Sequence, residues 1–165
     1  MGNDKLLQKY KDLSLNFMNI GLRNETKNRM QPYFCTPVGA EIFASTGIEG
    51  IHYCIIDGFG DTIFVVSPEP GIDDRVFPVA KDFGDFVRLI FVLHGTEIID
   101  QIPLYTKERF YKMLDNSFND ESIKRKNELS ELKKYFDVEP MDSPYEYVME
   151  ISSAFDRSKI KYSDE

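Results

Sequence analysis

From Val38 to Ser67 the chain reads VGAEIFASTGIEGIHYCIIDGFGDTIFVVS. Short β-branched and aromatic runs alternate here with Gly-rich breaks, the pattern of strands joined by tight turns. The reading predicts strands near 40–45, 51–56 and 62–67. The last two are joined as a hairpin by Asp57-Gly58-Phe59-Gly60-Asp61, where Gly supplies a positive φ that a Cβ would oppose. Residues 51–56 (IHYCII) show no clean alternation, so this strand is predicted to be covered on both faces. Pro68, Pro70 and Gly71 end the third strand. An acidic loop then leads to a short fourth strand at Val76–Ala80, in which Pro78 requires a sheet edge because it has no N–H to donate.

On the N-terminal side, Leu6, Tyr10, Leu13 and Phe17 recur at helical spacing and predict an amphipathic helix over 3–18 that stops before Gly21. Residues 21–36 are mostly polar, show no sustained period and read as a long connection. On the C-terminal side, Asp82 caps a helix over 83–94 whose Phe83, Phe86, Val87, Leu89, Ile90 and Leu93 are apolar almost all round, with Gly95 at its end. Three more helices follow: Lys107–Asn116 behind Thr106, about 121–136 with Ile123, Leu129, Leu132 and Phe136 inward, and 144–155. The last opens on Ser143-Pro144-Tyr145-Glu146, which reads as a capping box. The whole is an α+β domain over 1–165: a mainly antiparallel sheet of about four to six strands in 37–80, helices in 82–156 packed on one of its faces, and a polar, loosely held tail at 157–165.

The net charge of −8 is unevenly spread. Residues 1–35 carry a balance of +3, residues 36–101 one of −8, and residues 102–165 one of −3. Nucleic-acid binding relies on Lys and Arg neutralising phosphates, so nucleic acid is not the expected partner and a basic protein is. The acidic loop residues Glu49, Asp57, Asp61, Glu69, Asp73 and Asp74 are the candidate partner-facing groups. With only two cysteines there is no disulfide framework. No stretch is apolar enough for a membrane span, and Asp4, Lys5, Lys9, Lys11 and Asp12 interrupt any leader-like run, so a cytoplasmic location is expected.

Candidate chemistry is sparse. His52 and Cys54, two apart on a strand, share a face and could form a nucleophile pair or half a metal site, but neither Cys35 nor His94 stands at ligand spacing to them. A buried structural pair is expected, with no metal and no cofactor. His94, at the end of the 83–94 helix, is expected to cap it. The Gly58-Phe59-Gly60 step lacks a nearby Lys or Arg and a following helix, so it does not read as a phosphate loop. No spacing selects a carboxylate pair for hydrolysis, and no Gly-x-Ser-x-Gly elbow is present.

Further likeness is carried by Pro37-Val-Gly-Ala-Glu41, Gly50-Ile-His-Tyr-Cys54, Gly58-Phe-Gly60, Val79-Ala80 with Phe83-x-x-Phe86, and Pro140-Met141 through Pro144-Tyr-x-Tyr147. On these residues the chain resembles bacterial proteins of the SUKH superfamily over most of 37–155. The resemblance implies a SUKH-like fold and an immunity-type function, in which a toxin is neutralised by direct contact and no residue is catalytic. The alternatives at this point are a hydrolase using acidic residues and a regulatory or scaffold domain.

Overall fold

The computed structural model describes residues 4–27, 30–68 and 75–163. The fold is α+β. A five-stranded antiparallel sheet runs β1 (Arg23–Asn24), β2 (Ala40–Ser45), β3 (His52–Ile56), β4 (Ile63–Val66) and β5 (Val76–Ala80), each strand beside the next in sequence. Helix α1 (Lys5–Leu13) precedes it. Helices α2 (Phe83–Leu93), α3 (Lys107–Ser117), α4 (Ile123–Tyr135) and α5 (Pro144–Ala154) follow. Among the described residues no helix is long and apolar enough to cross a membrane.

Every residue of β3 is buried, as its lack of alternation predicts. Tyr53 and Ile55 join the core beneath the helices, with Ile63 and Val65 of β4 and Phe77 and Val79 of β5. Cys54 and Ile56 join a second, smaller core on the opposite face, with Phe64, Val66 and Val76. A register shift between Ile42 and Ala44 marks a bulge in β2. Ile42 packs on the second core while Phe43 and Ala44 both belong to the first. Phe43 then meets Tyr10, Phe83 and Phe86 edge-on, each at a ring distance of 6.0 Å, so α1, α2 and the sheet share one aromatic cluster. Pro78 sits on β5, which among the described residues pairs only with β4 and is therefore an edge strand.

Several expectations are corrected. The first helix ends at Leu13 and not at 18, because Ser14 turns left-handed at φ 53°. Phe17 leaves the helical stripe and forms an antiparallel bridge with Leu22 around a single 3-10 turn, Met18–Ile20. Gly21 closes that turn at φ 67°, where an added Cβ would lie 2.4 Å from Thr96 Oγ1. The predicted connection at 21–36 contains β1, a two-residue strand too short to register as a period. Ile123 is 75% exposed and does not face inward. Ser143 makes no capping bond. It is left-handed at φ 49°, and the Glu146 carboxylate pairs with Lys107 and accepts from Tyr111.

The tail is also packed, not loose, as far as Lys161. Ile160 is buried in the second core beside Cys35, and Phe155 packs there too. The Val38 N–H donates to the Lys161 carbonyl at 2.7 Å, and Arg157 Nη2 donates to the Val76 carbonyl at 2.9 Å, occupying an acceptor of edge strand β5. The helices therefore cover one face of the sheet, and two irregular segments around residues 35–38 and 155–161 cover the other.

Phe86 is fully buried and touches Phe43, Tyr53 and Phe83. Phe86→Ala is expected to cost about 3–5 kcal/mol in denaturant melts. A loss below about 1 kcal/mol would show that α2 does not seat this ring in the core.

Candidate functional site

The β2–β3 turn, Thr46–Ile51, forms a hydrogen-bonded crown. Thr46 N–H donates to the Ile51 carbonyl at 3.0 Å, and Thr46 Oγ1 donates to the Ile48 carbonyl while accepting from the Ile48 N–H. Gly47 and Gly50 take φ 76° and 72°, and Glu49, between them, is held at 54°. Both glycines are needed for space as well. A Cβ on Gly47 would lie 2.9 Å from the Met18 methyl, and one on Gly50 would lie 2.8 Å from the Tyr33 ring. The turn backbone thus seats Met18 on one side and Tyr33 on the other.

The result is a ring of exposed apolar side chains at one end of the sheet: Met18 at 52%, Tyr33 at 43%, Phe34 at 59% and Ile48 at 65% exposure. The Phe34 ring also lies 5.0 Å from the Arg75 guanidinium carbon. Beside the crown is a groove of about 390 Å³ whose lining includes Arg23, Glu25, Tyr33, Ser45 and Ile48. Solvent-exposed apolar groups gathered this way, with polar groups between them, mark interaction surfaces in soluble proteins.

His52 anchors this end from inside. Its Nδ1 lies 2.7 Å from the Gly50 carbonyl, which can only accept, so Nδ1 carries the proton. In the neutral ring Nε2 is then the acceptor, taking a bond from Thr36 Oγ1 at 3.0 Å, while Thr36 Oγ1 itself accepts from the Tyr33 N–H. The Tyr33 ring stacks on the imidazole at 5.7 Å. Both ring nitrogens are committed, so neither is left to activate Cys54. Burial pushes the Cys54 thiol up to about 12 and raises Cys35 as well, so neither is a thiolate near neutrality. Among the described residues no group of three His, Cys, Asp or Glu is placed to hold a metal ion.

The candidate acidic residues do not form one patch. Glu49 is exposed on the crown. Asp57 and Asp61 belong to the β3–β4 hairpin, at the opposite end of β3, roughly 15 Å away for a strand of this length. There Asp57 shares a concavity of about 470 Å³ with Lys159 and Lys161 of the tail. Asp61 is half-buried, and its Oδ1 has no hydrogen-bond partner among the described residues. Glu69, Asp73 and Asp74 lie outside the described residues. Other acids of the middle segment have structural partners: Glu41 pairs with Lys11, Glu97 with Arg125 and Asp85 with Arg88, while Asp82 caps α2. The charge imbalance along the chain is thus partly cancelled in space.

His94 does end α2, with its backbone left-handed at φ 59° and its N–H on the Ile90 carbonyl. Its imidazole does not bond a helix carbonyl. Nδ1 lies 2.6 Å from Glu121 Oε1, and the ring stacks on Phe118 at 4.0 Å. Sequence reading missed the crown's apolar ring and Glu25. The only signal was that Met18, Tyr33, Phe34 and Ile48 are large apolar residues without periodic neighbours.

Burial holds the His52 imidazole below its ordinary pKa of 6.5, against the opposing effects of the Gly50 carbonyl and of Glu25. The unfolded chain therefore takes up a proton first as pH falls, so this contribution is complete above about 6.5 and is lost progressively below it. Denaturant melts between pH 7 and 5.5 should show stability falling with acidification, by at most about 1.4 kcal/mol per pH unit from this group. The slope should flatten in His52→Gln. An unchanged slope in His52→Gln would contradict the assignment.

No family model, no curated protein and no solved structure matches the chain.

Proposed function

We propose that the chain is a non-catalytic protein-binding module, an immunity-type inhibitor that neutralises a toxin by direct contact at the β2–β3 crown. The observation that carries this reading is that Met18, Tyr33, Phe34 and Ile48, large apolar side chains, are left exposed at this end of the sheet, with Ile48 on the turn and Met18 and Tyr33 seated against its glycines. Preorganised apolar anchors with a polar surround are what a contact hot spot requires, because little ordering entropy remains to be lost on binding. The immunity role itself rests on the resemblance to the SUKH superfamily. The net charge of −8 favours a basic partner through long-range steering. Of the acidic candidates, Glu49 belongs to the contact surface; Asp57 and Asp61, at the far end, act only on the approach.

The test is capture from the native cell with tagged parent and variant chains, followed by binding kinetics on the partner recovered. Ile48→Asp should weaken binding by at least about tenfold, mainly through faster dissociation, while thermal stability stays close to that of the parent because the side chain is exposed. Asp57→Asn with Asp61→Asn should slow association modestly and reduce its salt dependence, without changing dissociation. A partner that binds Ile48→Asp and Phe34→Ala as tightly as the parent would contradict the proposal.

A further inference from the structure

Helix α4 packs little of itself into the core. Of its 13 residues only Leu132 is buried, and two of its ties to the body are polar: Arg125 pairs with Glu97, and Lys133 Nζ donates to the Val138 carbonyl at 2.6 Å. A third polar tie reaches the crown. Glu128, half-buried on this helix, accepts the Asn19 N–H on both carboxylate oxygens, at 2.9 and 3.1 Å, and accepts from Asn19 Nδ2 as well.

Asn19 is the middle residue of the 3-10 turn Met18–Ile20. The Ile20 N–H bonds the Phe17 carbonyl and the Gly21 N–H bonds the Met18 carbonyl, each at 3.2 Å. The Asn19 N–H has no such acceptor inside the turn, and Phe17 supplies no side-chain cap. Glu128 fills that place with a charge-assisted bond. The two halves of the turn are therefore fastened from different sides. The Thr96 N–H donates to the Ile20 carbonyl at 3.0 Å and Thr96 Oγ1 to the Gly21 carbonyl at 2.6 Å, which fixes the second half. The first half carries Met18, whose side chain is 52% exposed and ends against Gly47.

We infer that Glu128 is a positioning residue for the crown: its carboxylate caps the turn from α4 and sets Met18 against Gly47. This rests on the protein-binding reading above and deepens it, because one of the four apolar anchors is then presented by an acid on another element that the partner does not touch. Without the cap Met18 is mobile, and a partner must order it on binding.

The test begins on the free full chain, labelled with methyl-13C methionine and 15N. In Glu128→Ala the nuclear Overhauser contact between the Met18 methyl and Gly47 should fall by more than half, and Asn19 amide exchange should quicken by at least about tenfold. Glu128→Gln, whose side-chain oxygen still accepts from the Asn19 N–H, should retain the contact. Glu128→Asp keeps the charge but not the reach, and carries the same comparison should Glu128→Ala not fold. A general loss of stability would lower the melting temperature and leave the Met18–Gly47 contact of the folded chain intact; that result, or Glu128→Gln behaving like Glu128→Ala, overturns the inference. On the partner recovered with the parent chain, Glu128→Ala should weaken binding by about two- to tenfold. Added to Met18→Ala it should weaken binding no further. Additive losses would show that Glu128 itself meets the partner and would overturn the positioning role. If Ile48→Asp releases the partner while Glu128→Ala binds as the parent does, the positioning role falls and the protein-binding reading stands. If the Met18–Gly47 contact is lost as expected while neither Ile48→Asp nor Glu128→Ala affects the partner, Glu128 still positions Met18 and binding at the crown is what fails.

Discussion

The burial of β3 on both faces is the constraint that the rest of the molecule answers. A five-residue strand with no exposed side chain needs two covers, and a chain of 165 residues has only so much secondary structure to supply them. One cover is regular: α1 and α2 lay Tyr10, Phe83 and Phe86 against Phe43 and Tyr53. The other is irregular, made of residues near Cys35 and of the C-terminal segment around Phe155 and Ile160. Irregular covers leave backbone groups to satisfy. Here Val38 and Val76 do so by bonding directly to Lys161 and Arg157, which fastens the two halves of the cover to each other and to the sheet.

The second cover also positions the candidate surface. The segment that reaches Cys35 first passes the end of β3, where the Tyr33 N–H bonds Thr36 and Thr36 bonds His52. His52 in turn holds the Gly50 carbonyl, so a single buried imidazole links the covering segment to the crown. Tyr33 is consequently stacked on His52 rather than free to turn inward, and Met18 is held against Gly47 by the 3-10 turn that ends at Gly21. Exposed apolar side chains are thus a consequence of how the second face is closed. They are also the feature that a binding partner would use.

Much of the scaffold was legible in the sequence because its signals are local. Asp82 and Thr106 precede their helices and do cap them, Pro78 does lie on an edge strand, and the three central strands fall within a residue or so of their apolar runs. The failures share a different cause. Phe17 fits a helical spacing but is claimed by a bridge to Leu22, and Ser143-Pro144-Tyr145-Glu146 fits a capping box but loses its glutamate to Lys107 and Tyr111. In both cases a tertiary contact overrides a local pattern. The tail was misread because Ile160 is a single apolar residue among polar ones, and only its position against Cys35 and Val76 gives it a role. The site was the least legible part. Charge counted along the chain points to six acids, whereas folding pairs two neighbouring acids, Glu41 and Glu97, with distant bases and separates Glu49 from Asp57 and Asp61.

The central claim is that binding occurs at the crown and not at the acidic hairpin or the helical face. Amide hydrogen exchange of the intact chain, alone and with its captured partner, tests this most directly. The account predicts added protection confined to residues 18–25, 33–36 and 46–51. Protection centred on the 57–61 hairpin, or on α3 and α4 with the crown unchanged, would contradict it.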